Sequence, residues 1–166
     1  YGSQLGLAMV VGTNGTLLTS RRVASLKAAG ALGLGISVDS LHKEQHDKFR
    51  GLQGSWQQTF QGIQHCREQD LSFQIHFTIT RNNYTELDDI IKFSYENGAR
   101  VLNLFFLICT GRAESASDIS AEQYELILTQ TISAQSEYPD MIIRPRCAPH
   151  FKRIAHQLNP DSAITR

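Results

Sequence analysis

Cysteine is scarce in this sequence, with only three among 166 residues, at positions 66, 109 and 147. Residues so far apart do not make a disulfide framework, so we expect a protein of the reducing cytoplasm. The three cysteines and the histidines also lack the spacing that is typical of a zinc site. His42 and His46 are four apart, but no acidic partner stands at a diagnostic spacing.

Net charge and long apolar runs are also lacking. Sixteen basic residues balance sixteen acidic ones, so no overall field attracts nucleic acid or an anionic membrane. No apolar run approaches the roughly 20 residues that span a bilayer. Gly30, Gly33 and Gly35 stand just before and at the start of a predicted strand, whereas a dinucleotide-binding glycine motif follows one. We therefore predict neither a nucleic-acid partner nor a membrane partner.

The pattern alternates strand-like and helix-like stretches. A helix is expected from about residue 20 to Gly30 and another over 55–69. A third is expected after a Thr85 cap, a fourth after the Ser120–Gln123 capping box, and a last one from about Pro149. The predicted strands are 7–12, 33–38, 73–80 and 101–108, with a brief one at 141–143.

Four strands separated by helices predict an α/β fold of parallel βαβ units. A complete (β/α)₈ barrel needs about 250 residues. The sequence therefore predicts part of a TIM-like barrel, incomplete at both ends.

The strand over 73–80 has two different faces. Phe73, Ile75, Phe77 and Ile79 alternate with polar residues. A packed barrel turns mostly Val, Ile and Leu inward, so a polar inner face predicts a wet or ligand-filled cavity. An edge strand with one face in water would give the same pattern.

Polar residues follow two predicted strands, where α/β folds bind ligands. Gly15 permits a tight turn after the first strand, and Thr13 and Asn14 offer short polar side chains there. Ser37 and Asp39 are two apart and so share one face of the next strand. A hydroxyl and a carboxylate so placed suit a small polar ligand. Taken singly, these features are also typical of an ordinary turn and a helix cap.

The order of three segments is more specific: VVGTNGTLLT, then GISVDS, then HDKFRG. This order resembles radical S-adenosylmethionine (SAM) enzymes that carry a C-terminal auxiliary-cluster (SPASM-type) region. In that family the TNG turn follows the third barrel strand and the S-x-D element ends the fourth. The resemblance implies two cofactors, SAM and a 4Fe-4S cluster. It also implies reductive cleavage of SAM to a 5′-deoxyadenosyl radical, with an electron-donor protein as a partner.

The resemblance also implies roles for single residues. Ser37 would hydrogen-bond the amino-acid part of SAM, Asp39 would support that corner, and Arg50 would face the SAM carboxylate. Without the family, Arg50 has the alternative of a solvent-exposed arginine at a helix start. The remaining predicted cofactor-binding residues would lie around the same cavity: Thr13, Asn14, Thr78, Thr80, Arg81 and Ile108, with Leu107 as the alternative to Ile108.

Two later segments, LFFLICTGRA (104–113) and RPRCAPHFKRIA (144–155), resemble enzymes that modify tetrapyrroles on the way to heme. This implies a barrel part over 1–140 and, over 141–166, the start of a connection to an auxiliary-cluster region. Cys147 would be the first ligand of that cluster, with a buried free thiol as the alternative. Five cationic or titratable residues would suit a propionate-rich substrate: Arg144, Arg146, His150, Lys152 and Arg153.

One departure from the family is large. The C-x-x-x-C-x-x-C loop of the catalytic cluster is absent, and so is the glycine-rich element that binds the SAM amino group. We expect this chain alone to be inactive and the ligands of the catalytic cluster to lie outside it. Two alternatives are a non-catalytic remnant or interaction module and an unrelated barrel aldolase or hydrolase. No lysine stands at 13–15, 37–40 or 78–81 to serve as an aldolase nucleophile.

Overall fold

The computed structural model describes residues 1–108 and 118–160. It contains one sheet of five parallel strands in the order β1-β2-β3-β4-β5, which is also their order along the chain. The strands are β1 (Met9–Thr13), β2 (Ala31–Ser37), β3 (Phe73–Ile79), β4 (Val101–Phe106) and β5 (Ile142–Arg146). The helices are α1 (Ser20–Ala28), α2 (Lys43–Arg50), α3 (Ser55–Glu68), α4 (Leu87–Glu96), α5 (Ala121–Glu137) and α6 (Phe151–Leu158).

The α/β architecture of parallel strands and intervening helices is confirmed, with differences at the boundaries. The brief strand expected at 141–143 is the full strand β5, hydrogen-bonded to β4. The division of the chain at residue 140 stays a prediction. Part of the LFFLICTGRA segment, including Cys109, falls outside the described residues.

The Thr85 cap is wrong. A 3-10 turn covers Tyr84–Glu86, and α4 begins after it without a side-chain cap. The helix α2 was not expected. Arg50 is its last residue, so the alternative of an arginine at a helix start is also wrong.

The core lies on one face of the sheet. Alternate residues of the middle strands, such as Leu34, Ile75, Phe77 and Leu104, are fully buried in one cluster with the helices. Each such side chain contributes about 1.5–3 kcal/mol by burial. No helix of the described residues has the length and apolar content to cross a membrane.

The other face of the sheet is polar, as the alternation over 73–80 predicts. Strand β3 lies in the middle of the sheet, between β2 and β4, so the edge-strand alternative is wrong. Gln74, His76 and Thr78 are half-buried while their neighbours on β3 are buried. The polar face is therefore a property of the inner side of the sheet.

Candidate functional site

Asp39 and Arg50 form an ion pair at the carboxyl end of β2. Asp39 is 2% exposed, and Arg50 reaches it from the end of α2 with Nε 2.5 Å from Oδ2. The opposite charges of Arg50 and Asp39 hold this contact at a buried position. Burial raises the pKa of Asp39 to about 6, and the positive charge of Arg50 offsets part of that effect.

His46 supports this pair from α2. It is fully buried, and its Nδ1 accepts a hydrogen bond from the Asp39 backbone N–H at 3.2 Å. An accepting Nδ1 carries no proton, so the neutral ring is protonated at Nε2. Burial, and then the charge of Arg50, lower the pKa of His46 to about 4. Near neutral pH the site therefore holds one uncharged imidazole.

The opposite pKa shifts of Asp39 and His46 predict two opposing effects of pH on the free energy of unfolding. The folded pKa of Asp39 is raised, so its contribution to the free energy of unfolding is lost as pH rises from about 4 to 6. The folded pKa of His46 is lowered, so its contribution is lost as pH falls from about 6.5 to 4. Each effect is on the order of 3 kcal/mol, and because the two have opposite signs they offset each other in the wild type.

Single substitutions should reveal how each residue changes the free energy of unfolding with pH. From pH 4 to 6.5, the stability of Asp39→Asn relative to the wild type should rise by about 3 kcal/mol, and that of His46→Gln should fall by about as much. Urea unfolding at a series of pH values measures both differences. Two variants that both keep the wild-type pH profile would contradict the assigned shifts.

Two buried residues of the 80–86 loop join the ends of β2 and β3. Asn83 donates from Nδ2 to the carbonyls of Asp39 and Thr78, both at 2.8 Å, and its Oδ1 accepts from the Thr80 backbone N–H at 2.7 Å. Glu86 accepts from the Ser40 hydroxyl at 2.8 Å and from the Leu41 backbone N–H at 2.7 Å. These bonds fix the positions of the two loops around Asp39.

A cavity of about 550 Å³ opens at this edge. Asp39, Thr80 and Asn83 line it from the strand ends, and Lys48 and Phe49 line it from α2. The sequence singled out Asp39 and Thr80 but missed Asn83, Glu86 and the role of His46. The signal available for Asn83 and Glu86 was a polar segment directly after a strand.

Thr13 and Asn14 have local roles in their turn. Thr13 Oγ1 accepts from the Gly15 backbone N–H at 3.0 Å, and Asn14 Oδ1 accepts from the Thr16 backbone N–H at 3.2 Å. The Asn14 carbonyl accepts from Thr59 Oγ1 of α3 at 2.8 Å. Gly15 has φ +82°, the left-handed conformation that glycine adopts without strain. These contacts fit the ordinary-turn alternative, and a ligand role for either side chain stays a prediction.

The remaining predicted residues are spread over the same end of the sheet. Ser37 lies beside His76 in the register of β2 and β3, so it faces the inner side with Thr78. Arg81 is exposed and donates to the carbonyl of Asp118 at 3.2 Å. Ile108 is exposed just after β4. The structure thus brings Arg50 to Asp39, and Asp39 and Thr80 to one cavity, whereas Arg81 and Ile108 do not line that cavity.

The described residues do not fit an iron–sulfur cluster. No three His, Cys, Asp or Glu side chains among them converge as metal ligands. Cys66 is buried, and burial raises its thiol pKa to about 11, which disfavours the thiolate that binds iron. Cys147 is exposed after β5. Its role as an auxiliary-cluster ligand stays a prediction, and the buried-thiol alternative is wrong for it.

A family model and two curated relatives show the family to which this chain is similar. The model of the radical SAM superfamily matches residues 3–94. The AdoMet-dependent heme synthase of Methanosarcina barkeri is 39% identical over 95% of this chain and 45% of its own length. The enzyme of the same name from Nitratidesulfovibrio vulgaris is 35% identical over 99% of this chain and 45% of its own length. This chain thus spans less than half the length of these curated relatives.

A solved structure shows the same fold. Streptococcus suis SuiB bound to its precursor peptide SuiA superposes with a TM-score of 0.75 at 13% identity, over 95% of this chain and 35% of that protein. At this identity the likeness concerns the fold alone.

Proposed function

We propose, from the premise that this chain belongs to the radical SAM superfamily, that it forms the SAM-binding middle part of an enzyme that modifies a tetrapyrrole. The Asp39–Arg50 pair carries this proposal. The buried carboxylate of Asp39, which lines the cavity, contacts the guanidinium of Arg50, whose side chain is 26% exposed. Such a guanidinium is positioned to bind the carboxylate of an amino-acid-like ligand, as the methionine part of SAM is.

Ser37, Asp39 and Arg50 would hold SAM at the carboxyl ends of the strands, where α/β folds bind ligands. Asp39 acts by orienting Arg50, and Asn83 and Glu86 fix the loops on either side. When bound, SAM supplies a sulfonium group whose reductive cleavage is the chemistry of the family. The cluster that delivers the electron has no ligand set in this chain, so we assign no step to these residues beyond binding and orientation.

The substrate class rests on the heme synthases of Methanosarcina barkeri and Nitratidesulfovibrio vulgaris, whose similarity covers almost the whole chain. An auxiliary cluster at Cys147, an electron-donor protein and a cytoplasmic location belong to the same proposal. The second candidate is the non-catalytic interaction module.

Arg50→Gln tests the proposal. We expect this variant of the full gene product to bind SAM at least about tenfold more weakly, because a charge-assisted contact contributes about 1.5–3 kcal/mol. Lys43→Gln, at the exposed start of the same helix α2, is the control and should bind SAM normally. Isothermal titration calorimetry measures the affinity. Formation of 5′-deoxyadenosine with dithionite under anaerobic conditions measures the cleavage.

Equal SAM affinity of Arg50→Gln and Lys43→Gln would contradict the assigned SAM site. SAM binding without any 5′-deoxyadenosine from the reconstituted gene product would favour the non-catalytic module.

A further inference from the structure

The inner face of the sheet holds a second cavity, of about 370 Å³, to which all five strands contribute. Gly12 and Gly35 line it from β1 and β2; a side chain at Gly12 would meet open space, whereas the His76 ring already fills the space beside Gly35. Gln74 and Asn103 line it from β3 and β4, and Arg146 from the end of β5. Neither Asp nor Glu lines this cavity among the described residues.

A hydrogen-bond chain crosses three strands in this cavity. Arg146 Nε donates to Asn103 Oδ1 at 3.0 Å, and Asn103 Nδ2 donates to Gln74 Oε1 at 2.8 Å. Arginine can only donate, so its contact fixes which end of the Asn103 amide faces it. That orientation in turn fixes the orientation of the Gln74 amide, whose Nε2 is the last group of the hydrogen-bond chain. A single cation therefore sets the direction of both amides.

The polar groups that line this cavity, beside the apolar Val10 and Phe105, present hydrogen-bond donors. The terminal nitrogens of Arg146 and the Nε2 group of Gln74 are both donors, and the nearby His76 ring supplies one more. Burial, and then the charge of Arg146, lower the pKa of His76, so the ring stays neutral near pH 7. A ligand that complements such a surface supplies acceptors and negative charge.

Arg146 differs from the two described arginines that form ion pairs, and its side chain is exposed at the end of β5. Arg50 pairs with Asp39, and Arg153 pairs with Glu125. Within residues 1–108 and 118–160, no carboxylate lies within ion-pair distance of Arg146, which is held by an uncharged amide instead. An amide orients the guanidinium without neutralising it.

We propose that Arg146, oriented by Asn103 and Gln74, binds a carboxylate of the substrate on the inner face of the sheet. Planar guanidinium groups bind carboxylates through two parallel hydrogen bonds, which fixes orientation as well as charge. The choice of a propionate as that carboxylate rests on the proposed function. This assigns substrate recognition to Arg146 and separates it from Arg153, whose charge is already paired with Glu125.

The test compares coproporphyrin, whose charged groups are its propionates, with its methyl ester, which has none. Arg146→Gln in the full gene product should weaken binding of the acid at least about tenfold and leave the ester unchanged. Arg146→Lys keeps the positive charge, so its affinity for the acid should fall less than that of Arg146→Gln. Arg100→Gln, an exposed arginine before the start of β4, is the matched control. Fluorescence titration measures both ligands, and SAM affinity of the same samples checks their folding.

Equal acid affinity of Arg146→Gln and Arg100→Gln would overturn the assignment, and so would an equal loss for acid and ester. A wild-type protein with no preference for the acid would overturn it as well. Selective binding of the acid by a protein that binds no SAM would support the carboxylate site while the proposed function fails. SAM binding without a preference for the acid would support the proposed SAM site and overturn the carboxylate site at Arg146.

Discussion

Replacing Asn83 by alanine is expected to lower the free energy of unfolding by about 4 kcal/mol. Asn83 is 2% exposed, and its amide makes four hydrogen bonds, to Asp39, to Thr78 and twice to Thr80. Alanine leaves two carbonyls and one backbone N–H without their partner at a buried junction. Each unsatisfied buried group costs about 1–3 kcal/mol, although the effects are not strictly additive.

The neighbouring residue provides the control for Asn83. Asn82 is exposed, so Asn82→Ala should change stability by less than about 0.5 kcal/mol. Asn83→Asp preserves the shape but turns an acceptor toward the carbonyls of Asp39 and Thr78, so it should be at least as destabilising as alanine. Urea denaturation monitored by circular dichroism measures all three variants. Wild-type stability of Asn83→Asp would show that the donor side of this amide is dispensable.

Replacing Glu86 by alanine should lower the free energy of unfolding by about 3 kcal/mol. Both carboxylate oxygens accept from the Ser40 hydroxyl, at 2.8 and 2.9 Å, and one also accepts from the Leu41 backbone N–H at 2.7 Å. Alanine leaves these donors without an acceptor in the loop between β2 and α2. Because that loop leads from Asp39 to the helix of Arg50, the variant should also weaken SAM binding in the full gene product.

Glu96→Ala is the control, since Glu96 is exposed on α4 and lies 3.9 Å from Lys92 in a surface ion pair. Surface pairs contribute about 0–1 kcal/mol. A double-mutant cycle with Ser40→Ala separates the Ser40–Glu86 contact from the backbone contact, because residues in contact couple by about 0.5–3 kcal/mol. Additive effects in the cycle would mean that the hydroxyl contact contributes nothing.

The alternation of strands and helices could be predicted from the sequence because hydrophobic periodicity and capping residues are local features. Strand β3 shows period two over its whole length, and Ser120 with Gln123 forms the predicted capping box. Helix α2 was missed because its segment, KEQHDKFR, carries little apolar periodicity. Its position depends instead on contacts distant in sequence. Asp47 accepts from the Gly54 and Trp56 backbone N–H groups, both at 2.7 Å, and so joins α2 to α3.

The candidate site was predicted in part. Asp39 and Arg50 were identified by resemblance, and their contact required a helix that the sequence did not reveal. Asn83 and Glu86 were missed because a buried polar residue in a loop has the same local pattern as an exposed one. The direction of the Arg146–Asn103–Gln74 chain depends on the register of three strands, and no local pattern encodes that register.

The order of the strands has a consequence for how the chain is made. Each of β2 to β5 pairs with the strand that precedes it in the sequence. On the ribosome, each of these four described strands therefore emerges after the strand it pairs with. Because chains emerge from the amino end at about 5–20 residues per second, this sheet can grow one strand at a time during translation.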